Sequence, residues 1–218
     1  MSWSTLFSKE KPVYLCDNCR HSFSFITGEV CQSCHRPLQQ LNPAFQSEGI
    51  CHDCIRWEEH PVWKGVLDQN ISIFEYNDFL KEVFARYKFR GDYVLAYVFA
   101  EFIQTKLQKY HYLVPIPLSE ERLQERGFNQ AEALIRAAGF KPTMLLSRLH
   151  TEKQSKKSRH ERIHLSAVFS FAGEHRLQDK DVLLIDDIYT TGSTVRHAAK
   201  VLKNAGAQHV FSLTIGRG

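Results

Sequence analysis

One uninterrupted stretch, from Val182 to Thr194, restricts the possible folds of this chain more than any other part of the sequence. It opens with four apolar residues, which is typical of a buried parallel strand. Asp186 and Asp187 follow directly, and after them comes a run of hydroxyl residues around one glycine. Apolar residues at helical spacing begin at Val195. The order of strand, acidic pair, hydroxyl-rich turn and helix therefore predicts an α/β fold with a binding site at the turn.

The turn has the chemistry that a phosphorylated sugar requires. Free backbone N–H groups and the positive end of the macrodipole favour a phosphate at a helix start, and a glycine lets the backbone approach it closely. Asp186 and Asp187 can accept hydrogen bonds from two vicinal ribose hydroxyls. The alternative is an ordinary strand-to-helix turn whose hydroxyls only cap the helix, although capping needs one such side chain. The candidate phosphate-binding residues are Thr190, Thr191, Gly192, Ser193 and Thr194.

All six cysteines lie in the first quarter of the chain, as three Cys-x-x-Cys pairs. Two such pairs can make a tetrahedral zinc site with four sulfur ligands, and disulfides are the alternative. No signal peptide and no apolar run that could enter a membrane is visible, which predicts a cytoplasmic protein without membrane insertion. A reducing compartment favours zinc over disulfides. The pairs are Cys16/Cys19, Cys31/Cys34 and Cys51/Cys54, and the spacing of the last two fits a zinc ribbon.

The stretch from Val182 to Thr194 resembles the 5-phosphoribosyl-1-pyrophosphate (PRPP) loop of type I phosphoribosyltransferases. In that loop two acidic residues follow hydrophobic ones and precede Thr-Thr-Gly-Ser/Ala-Thr. An N-terminal Cys-pair ribbon followed by such a domain is the arrangement of the ComF competence-protein family. The other segments that match the family pattern are 88–92 (Lys-Phe-Arg-Gly-Asp), 114–118 (Val-Pro-Ile-Pro-Leu), Arg122, 126–130 (Arg-Gly-Phe-Asn-Gln), Gln154 with Ser155, and Arg162.

The resemblance implies a fold and a division of the chain. Residues 61–218 are expected to form a type I phosphoribosyltransferase-like parallel sheet flanked by helices. Residues 1–60 are expected to form a small zinc ribbon that holds structural Zn²⁺. Family members often carry four Cys-x-x-Cys pairs, and the pair nearest the start is absent here. Either the chain begins at an internal methionine of a longer reading frame or the first ribbon has decayed. The expected ligands are Cys31, Cys34, Cys51 and Cys54, with Cys16 and Cys19 as the remaining half of the first ribbon.

The resemblance also implies roles for the site residues. Asp186 and Asp187 are the expected catalytic pair, which holds the ribose hydroxyls near the cationic ring. We expect both carboxylates to be exposed at the strand end, facing the ligand, and therefore to be nearly dispensable for folding. Arg122 and Arg126 are candidates for pyrophosphate because a guanidinium matches phosphate oxygens in bidentate fashion. A charged helix-start face is the alternative for both arginines. Mg²⁺ is expected to accompany PRPP, held mostly by substrate oxygens and water.

Three functions stay open at this level. The family implies a competence factor that handles incoming single-stranded DNA in natural transformation, with PRPP or a nucleotide as ligand and an ATP-driven competence helicase as partner. The second is a working phosphoribosyltransferase of nucleotide salvage. The third is a nucleic-acid-binding ribbon protein whose α/β domain senses a ligand. The sequence leaves open whether catalysis persists and which acceptor base is used.

Charge and periodicity complete the prediction. The formal net charge of +4 implies no partner by itself. The most basic stretch, residues 148–162, is a solvated loop, a loop that closes over pyrophosphate, or a nucleic-acid contact. Pro61 and Gly65 suggest a linker. Apolar spacing predicts helices near 78–87, 95–107, 129–138 and 195–205 and strands near 112–116, 167–171, 182–185 and 210–215. Asn77 or Asp78 is the expected N-cap of the first helix, and Gly139 and Gly206 are expected to end the last two.

Overall fold

The computed structural model describes residues 13–149, 168–174 and 176–218. Within these ranges the helices are α1 (Asp17–Ser22), α2 (His52–Glu59), α3 (Asp78–Phe89), α4 (Leu95–Leu107), α5 (Glu120–Arg126), α6 (Gln130–Ala137) and α7 (Ser193–Asn204). The strands are β1 (Gln46–Ser47), β2 (Ile50–Cys51), β3 (Gln69–Glu75), β4 (Tyr112–Pro115), β5 (Leu146–Arg148), β6 (Phe169–Phe171), β7 (Asp181–Tyr189) and β8 (His209–Arg217). Across these residues, no helix combines the length and the apolar character that crossing a membrane would require.

A four-stranded parallel sheet in the order β3-β8-β7-β4 organises the fold. The two central strands, β7 and β8, are nine residues long and pair along nearly their whole length. All four strands point the same way, so the ends of β7, β8 and β3 meet at one edge of the sheet, where parallel sheets place their sites. The predicted parallel sheet flanked by helices is confirmed.

Alternation along β7 divides the core into two layers. Leu183 and Ile185 are buried in the cluster that contains the apolar residues of α3, α4 and α6. Val182 and Leu184 face the other way, into the cluster formed with α7 and the four buried cysteines. Because successive strand side chains point to opposite faces, four consecutive apolar residues are needed to cover a sheet with packing on both sides.

Capping residues define where the predicted helices begin and end. The Asn77 side chain accepts a hydrogen bond from the Leu80 N–H at 2.8 Å at the start of α3. Asn129 caps α6 in the same way, accepting from the Ala131 N–H at 2.9 Å. Gly206, at φ 100°, lies just beyond α7 in the left-handed conformation that ends helices. These caps agree with the sequence-based helix starts and stops.

Strand β3 is absent from the sequence-based prediction, and its side chains show why. Asn70 and Ser72 are buried although they are polar. The Ser212 hydroxyl donates to Asn70 Oδ1 at 2.8 Å, and the Ser72 and Thr214 hydroxyls lie 2.7 Å apart. Hydrogen bonds across the β3–β8 ladder satisfy these polar groups and so allow them to be buried. Because polar residues interrupt it, the strand lacks the continuous apolar run by which a buried strand is recognised in a sequence.

Elsewhere in the described residues, the helices and strands also differ from the sequence-based prediction. Helix α5 and strand β5 form where the sequence analysis predicts none, and the cysteine-rich region contains α1 and α2. Strand β6 begins at Phe169, and the predicted start at Ala167 lies outside the described residues. The basic stretch beyond Leu149, with Gln154, Ser155 and Arg162, lies outside them as well.

Candidate phosphate site and metal centre

The acidic pair lies inside strand β7, not beyond its end. The parallel ladder with β8 continues through the pairs Asp186 with Thr214 and Tyr189 with Arg217. The apolar run predicts a strand that ends at Ile185, with both carboxylates exposed beyond it, but both are partly buried. The expectation of exposure is therefore wrong, because the longer partner strand β8 extends the ladder past the apolar run.

Two cations from separate helices face Asp187. The Lys88 ammonium lies 2.8 Å from Asp187 Oδ2, and both side chains are only 15% exposed. Arg126 Nη1 lies 4.0 Å from the same oxygen. In the sequence Lys88 stands out only as part of a family pattern, whereas in the structure it contacts Asp187 of the acidic pair directly. The two cations offset the negative charge that would otherwise repel a phosphorylated ligand.

Asp186 has a perturbed carboxyl group. Its Oδ1 accepts a hydrogen bond from the Asp187 N–H at 2.9 Å. Burial, and then the neighbouring charge of Asp187, raise the pKa of Asp186 to about 7, against the opposing effects of this hydrogen bond, Lys88 and Arg126. A carboxyl with a pKa near neutrality can exchange a proton when a ligand binds, and such groups concentrate at functional sites.

We expect Asp186 to couple folding stability to pH. Because its folded-state pKa is raised, its stabilising contribution is complete below about pH 4 and is lost as the pH rises through about 7. An ionised carboxylate accepts stronger hydrogen bonds from ribose hydroxyls than a protonated carboxyl does, so PRPP binding should strengthen over the upper part of the same range. Urea unfolding from pH 5 to 8 checks the first effect, with Asp186→Asn as the control that lacks this step. Identical pH profiles for the two proteins would contradict the assignment.

The hydroxyl-rich turn presents its side chains to solvent at the end of β7. Thr190, Thr191 and Thr194 are exposed and Ser193 is half-buried. The Thr191 hydroxyl accepts a long hydrogen bond from the Ser193 N–H at 3.4 Å. Gly192 is the N-cap of α7 and has φ 81°. The structure therefore brings the five predicted phosphate-binding residues together at the start of a twelve-residue helix.

Gly192 is favoured both by its positive φ angle and by the close approach of neighbouring side chains. A Cβ at this position would collide with the Tyr189 hydroxyl and the Arg196 guanidinium, whereas one at Gly127, with φ 76°, would meet nothing within 4 Å. We expect Gly127→Ala to cost about 1–2 kcal/mol for its left-handed backbone. Gly192→Ala should cost about 2–5 kcal/mol, because overpacking adds to that strain. Denaturant unfolding measures both, and equal costs would show that the contacts do not matter.

The two candidate pyrophosphate arginines occupy different surroundings. Arg126, 11% exposed, donates to Gln130 Oε1 at 2.9 Å and lies beside the acidic pair. Arg122 lines a cavity of about 480 Å³ at the end of β4. Arg148 lines the same cavity, and its pKa is lowered by burial and then by the charge of Arg122. In the sequence Arg148 belongs only to a basic stretch, whereas in the structure it lines the same cavity as Arg122.

Four of the six cysteines form one buried cluster. The Sγ atoms of Cys31, Cys34, Cys51 and Cys54 all lie within 4.8 Å of one another, and those of Cys34 and Cys51 are 3.7 Å apart. Tetrahedral zinc with Zn–S bonds of about 2.3 Å places its sulfur ligands about 3.8 Å apart. The cluster can therefore hold a zinc ion, and these are the two pairs that the spacing indicated.

The third pair stands apart from this cluster. Cys16 is exposed and Cys19 is half-buried against the α3–α4 side of the core. Among the described residues, the grouping of potential metal ligands that includes cysteines contains only the four buried ones. Cys16 and Cys19 are therefore not brought into the metal centre.

Comparison with known proteins agrees with this geometry. A phosphoribosyl transferase domain model matches residues 123–216. The chain is 37% identical over 223 residues to competence protein ComFC of Bacillus subtilis, covering 100% of this chain and 90% of that one. It is 38% identical over 216 residues to competence protein ComFC of Streptococcus pneumoniae, covering 98% and 92%. It is 25% identical over 224 residues to competence protein F of Haemophilus influenzae, covering 90% and 94%. With sequence similarity along its whole length, a phosphoribosyltransferase-type sheet and a four-cysteine cluster, the chain belongs to the ComF competence-protein family.

Proposed function

We propose that this protein is a cytoplasmic competence factor that binds PRPP or a nucleotide while single-stranded DNA is processed in natural transformation. Its proposed protein partner is an ATP-driven competence helicase. The observation that carries the proposal is the acidic pair followed directly by the hydroxyl-rich turn at the carboxyl edge of the sheet. The competence role is supported by the relatives in Bacillus subtilis and Streptococcus pneumoniae, which are named competence proteins.

The proposed ligand would lie along this edge of the sheet. Thr190, Thr191, Gly192, Ser193 and Thr194 would bind the 5′-phosphate through hydroxyls and backbone N–H groups. Asp186 and Asp187 would accept hydrogen bonds from the ribose hydroxyls, and their carboxylates would stabilise positive charge on the ring if the glycosidic bond breaks. Arg122 and Arg126 would bind the pyrophosphate oxygens. Mg²⁺, when bound with PRPP, would neutralise part of the pyrophosphate charge.

We also propose that zinc occupies the four-cysteine cluster. A disulfide needs two sulfurs about 2.05 Å apart, and it would use the thiols in pairs. Four thiols that all lie within 4.8 Å of one another instead suit a single tetrahedral ion. In this proposal residues 1–60 form the zinc-binding region and residues 61–218 form the phosphoribosyl-binding domain.

A salvage phosphoribosyltransferase is the second candidate. It is favoured by the cavity of about 480 Å³ whose charged lining consists of Arg122 and Arg148 together with Glu120 and Glu121. The two arginines could bind the leaving pyrophosphate there, with Mg²⁺ offsetting the repulsion from the carboxylates. An enzyme of this kind would turn over PRPP with a free base, whereas a competence factor needs only to bind a phosphoribosyl ligand.

The test combines binding, turnover and transformation. Calorimetry should show that the purified protein binds PRPP with Mg²⁺, and a strain that lacks the gene should regain transformation by linear DNA when the wild-type gene is returned. Unchanged transformation in the deletion strain, together with turnover of PRPP and a free base, would favour the salvage enzyme. Absence of PRPP and nucleotide binding would refute the proposed site.

A further inference from the structure

The backbone of the phosphate-binding turn is attached to helix α2, which carries part of the cysteine cluster. Cys51 is the N-cap of α2 and Cys54 lies in its first turn. Trp57, one helical turn after Cys54, donates its indole N–H to the Thr191 carbonyl at 3.0 Å. The turn therefore receives a hydrogen bond from a helix whose start contains two of the four clustered thiols.

A second attachment runs through one buried guanidinium. Arg217, at the end of β8, is 5% exposed. Its Nη1 donates to the carbonyls of Tyr189 at 3.2 Å and Thr190 at 3.1 Å. Its Nη2 donates to Cys34 Sγ at 3.4 Å. One side chain thus connects a thiol of the cysteine cluster directly to the last residue of β7 and the first residue of the turn.

Arg196 adds a third contact between the same elements. It is fully buried on α7, donates through Nη1 to the Tyr189 hydroxyl at 2.5 Å, and lies 4.9 Å from the centre of the Trp57 ring. The tryptophan therefore contacts both the turn and the helix that follows it.

These contacts fix the direction of the peptide groups that would bind phosphate. The carbonyls of Tyr189, Thr190 and Thr191 all accept hydrogen bonds from Trp57 or Arg217. In a planar trans peptide the C=O and the following N–H point in opposite directions. The N–H groups of Thr190, Thr191 and Gly192 consequently point away from the donors that hold the preceding carbonyls, and in the proposed site they would face the phosphate.

We propose that the metal-loaded cysteine cluster positions the phosphate-binding turn, with Trp57 and Arg217 as the positioning residues. This inference rests on the proposed function, because it concerns affinity for the same phosphoribosyl ligand. The metal fixes Cys34 and the start of α2, and these fix the guanidinium and the indole that hold the three carbonyls. Coupling between two binding sites is reciprocal, so ligand binding at the turn should also increase the affinity of the cluster for its metal.

Hydrogen exchange tests the positioning without any ligand. Removing the metal from the full-length protein with a chelator should raise exchange at least tenfold at the hydrogen-bonded N–H groups around the turn, while α4 keeps its protection. These groups are the Trp57 indole, which donates to Thr191, and the amides of Arg196 and Gly218, which donate to Gly192 and Tyr189. Unchanged exchange in the turn would overturn the inference. Because no PRPP is present, this result is independent of whether the proposed function is right.

Trp57→Phe isolates the hydrogen bond while the metal stays bound. Phenylalanine keeps an aromatic ring beside Arg196 and removes only the N–H donor to Thr191. The loss of one neutral hydrogen bond should weaken PRPP binding about three- to tenfold, with metal content unchanged. Trp63→Phe is the matched control: Trp63 packs edge-on against Trp57, with ring centroids 5.5 Å apart, and contacts α7 through His197. It should lower stability without changing PRPP affinity.

The outcomes separate this inference from the proposed function. A wild-type protein that does not bind PRPP refutes the proposed function, and the exchange experiment still decides the positioning. A wild-type protein that binds PRPP, with Trp57→Phe binding equally well, overturns the role of Trp57. Reciprocity supplies the final measurement: saturating PRPP should raise the chelator concentration needed to remove half of the metal, and an unchanged concentration would contradict the coupling.

Discussion

Replacing Cys51 by serine is expected to abolish metal binding and to release residues 31–59 from their packed conformation. The Cys51 side chain is completely buried among the other three thiols. A serine hydroxyl is a poor zinc ligand at neutral pH, and three thiolates would remain close together without the cation. Structural zinc contributes roughly 10–16 kcal/mol in small zinc-binding peptides, so the local loss should be large.

Because the cysteine cluster lies in the core, we expect Cys51→Ser to destabilise more of the protein than the sequence alone predicts. The sequence suggests a separate ribbon, whose unfolding would leave the α/β domain unaffected. The cysteines instead share a buried cluster with Trp63 and with Val182 and Leu184 of the central strand. We therefore expect the Cys51→Ser variant to keep its sheet but to melt at a lower temperature than the wild type.

Metal analysis, limited proteolysis and thermal melting check this expectation. Cys16→Ser is the matched control, because Cys16 is an exposed thiol outside the cluster. It should leave the metal content and the melting temperature unchanged. Equal metal loss in both variants would show that the wrong pairs have been assigned to the metal, and a metal-free wild type that resists proteolysis would exclude the site.

The second large effect is expected at the acidic pair. Asp186→Asn combined with Asp187→Asn should weaken PRPP binding about tenfold or more, because hydrogen bonds to a charged acceptor contribute about 1.5–3 kcal/mol each. The effect should be accompanied by little change in the overall fold, since asparagine has nearly the same shape. Calorimetry with PRPP and Mg²⁺ measures the affinity.

The single variants should differ in their effects on stability, with only Asp187→Asn destabilising the fold. Asp186→Asn removes a carboxyl whose raised pKa shows that the fold disfavours its charge, so it should be neutral or stabilising at pH 8. Asp187→Asn leaves Lys88 without its anionic partner at 2.8 Å and should cost about 1–3 kcal/mol. A substitution that stabilises the fold while it weakens ligand binding is typical of a functional site.

Asp181→Asn provides the control for position on the strand. Asp181 is the first residue of β7, at the opposite end from the hydroxyl-rich turn. Its replacement can affect stability, but it should leave PRPP affinity unchanged. Equal PRPP binding by the wild type and the Asp186→Asn, Asp187→Asn double variant would refute the site. Weakened binding with undiminished transformation would separate the site from DNA handling.

The sequence by itself determined the features that depend on neighbouring residues. The hydroxyl-rich turn is recognisable because its strand, carboxylates, hydroxyls and helix follow one another within thirteen residues. The caps at Asn77 and Asn129 and the stop at Gly206 are equally local, since each side chain or glycine acts on the adjacent helix. The cysteine pairs could be matched to one site because ribbon spacing is restricted by the reach of the intervening chain.

Only the tertiary structure decided the features that depend on distant partners. The pairing of Lys88 with Asp187, the burial of Asp186 by the extended β7–β8 ladder, and the hydrogen bond from Trp57 to Thr191 each join separate parts of the chain. Strand β3 escaped prediction because its buried polar side chains are satisfied across the ladder by β8. Local patterns report which residues favour a strand or a turn, whereas burial, charge and orientation depend on what the folded chain places beside them.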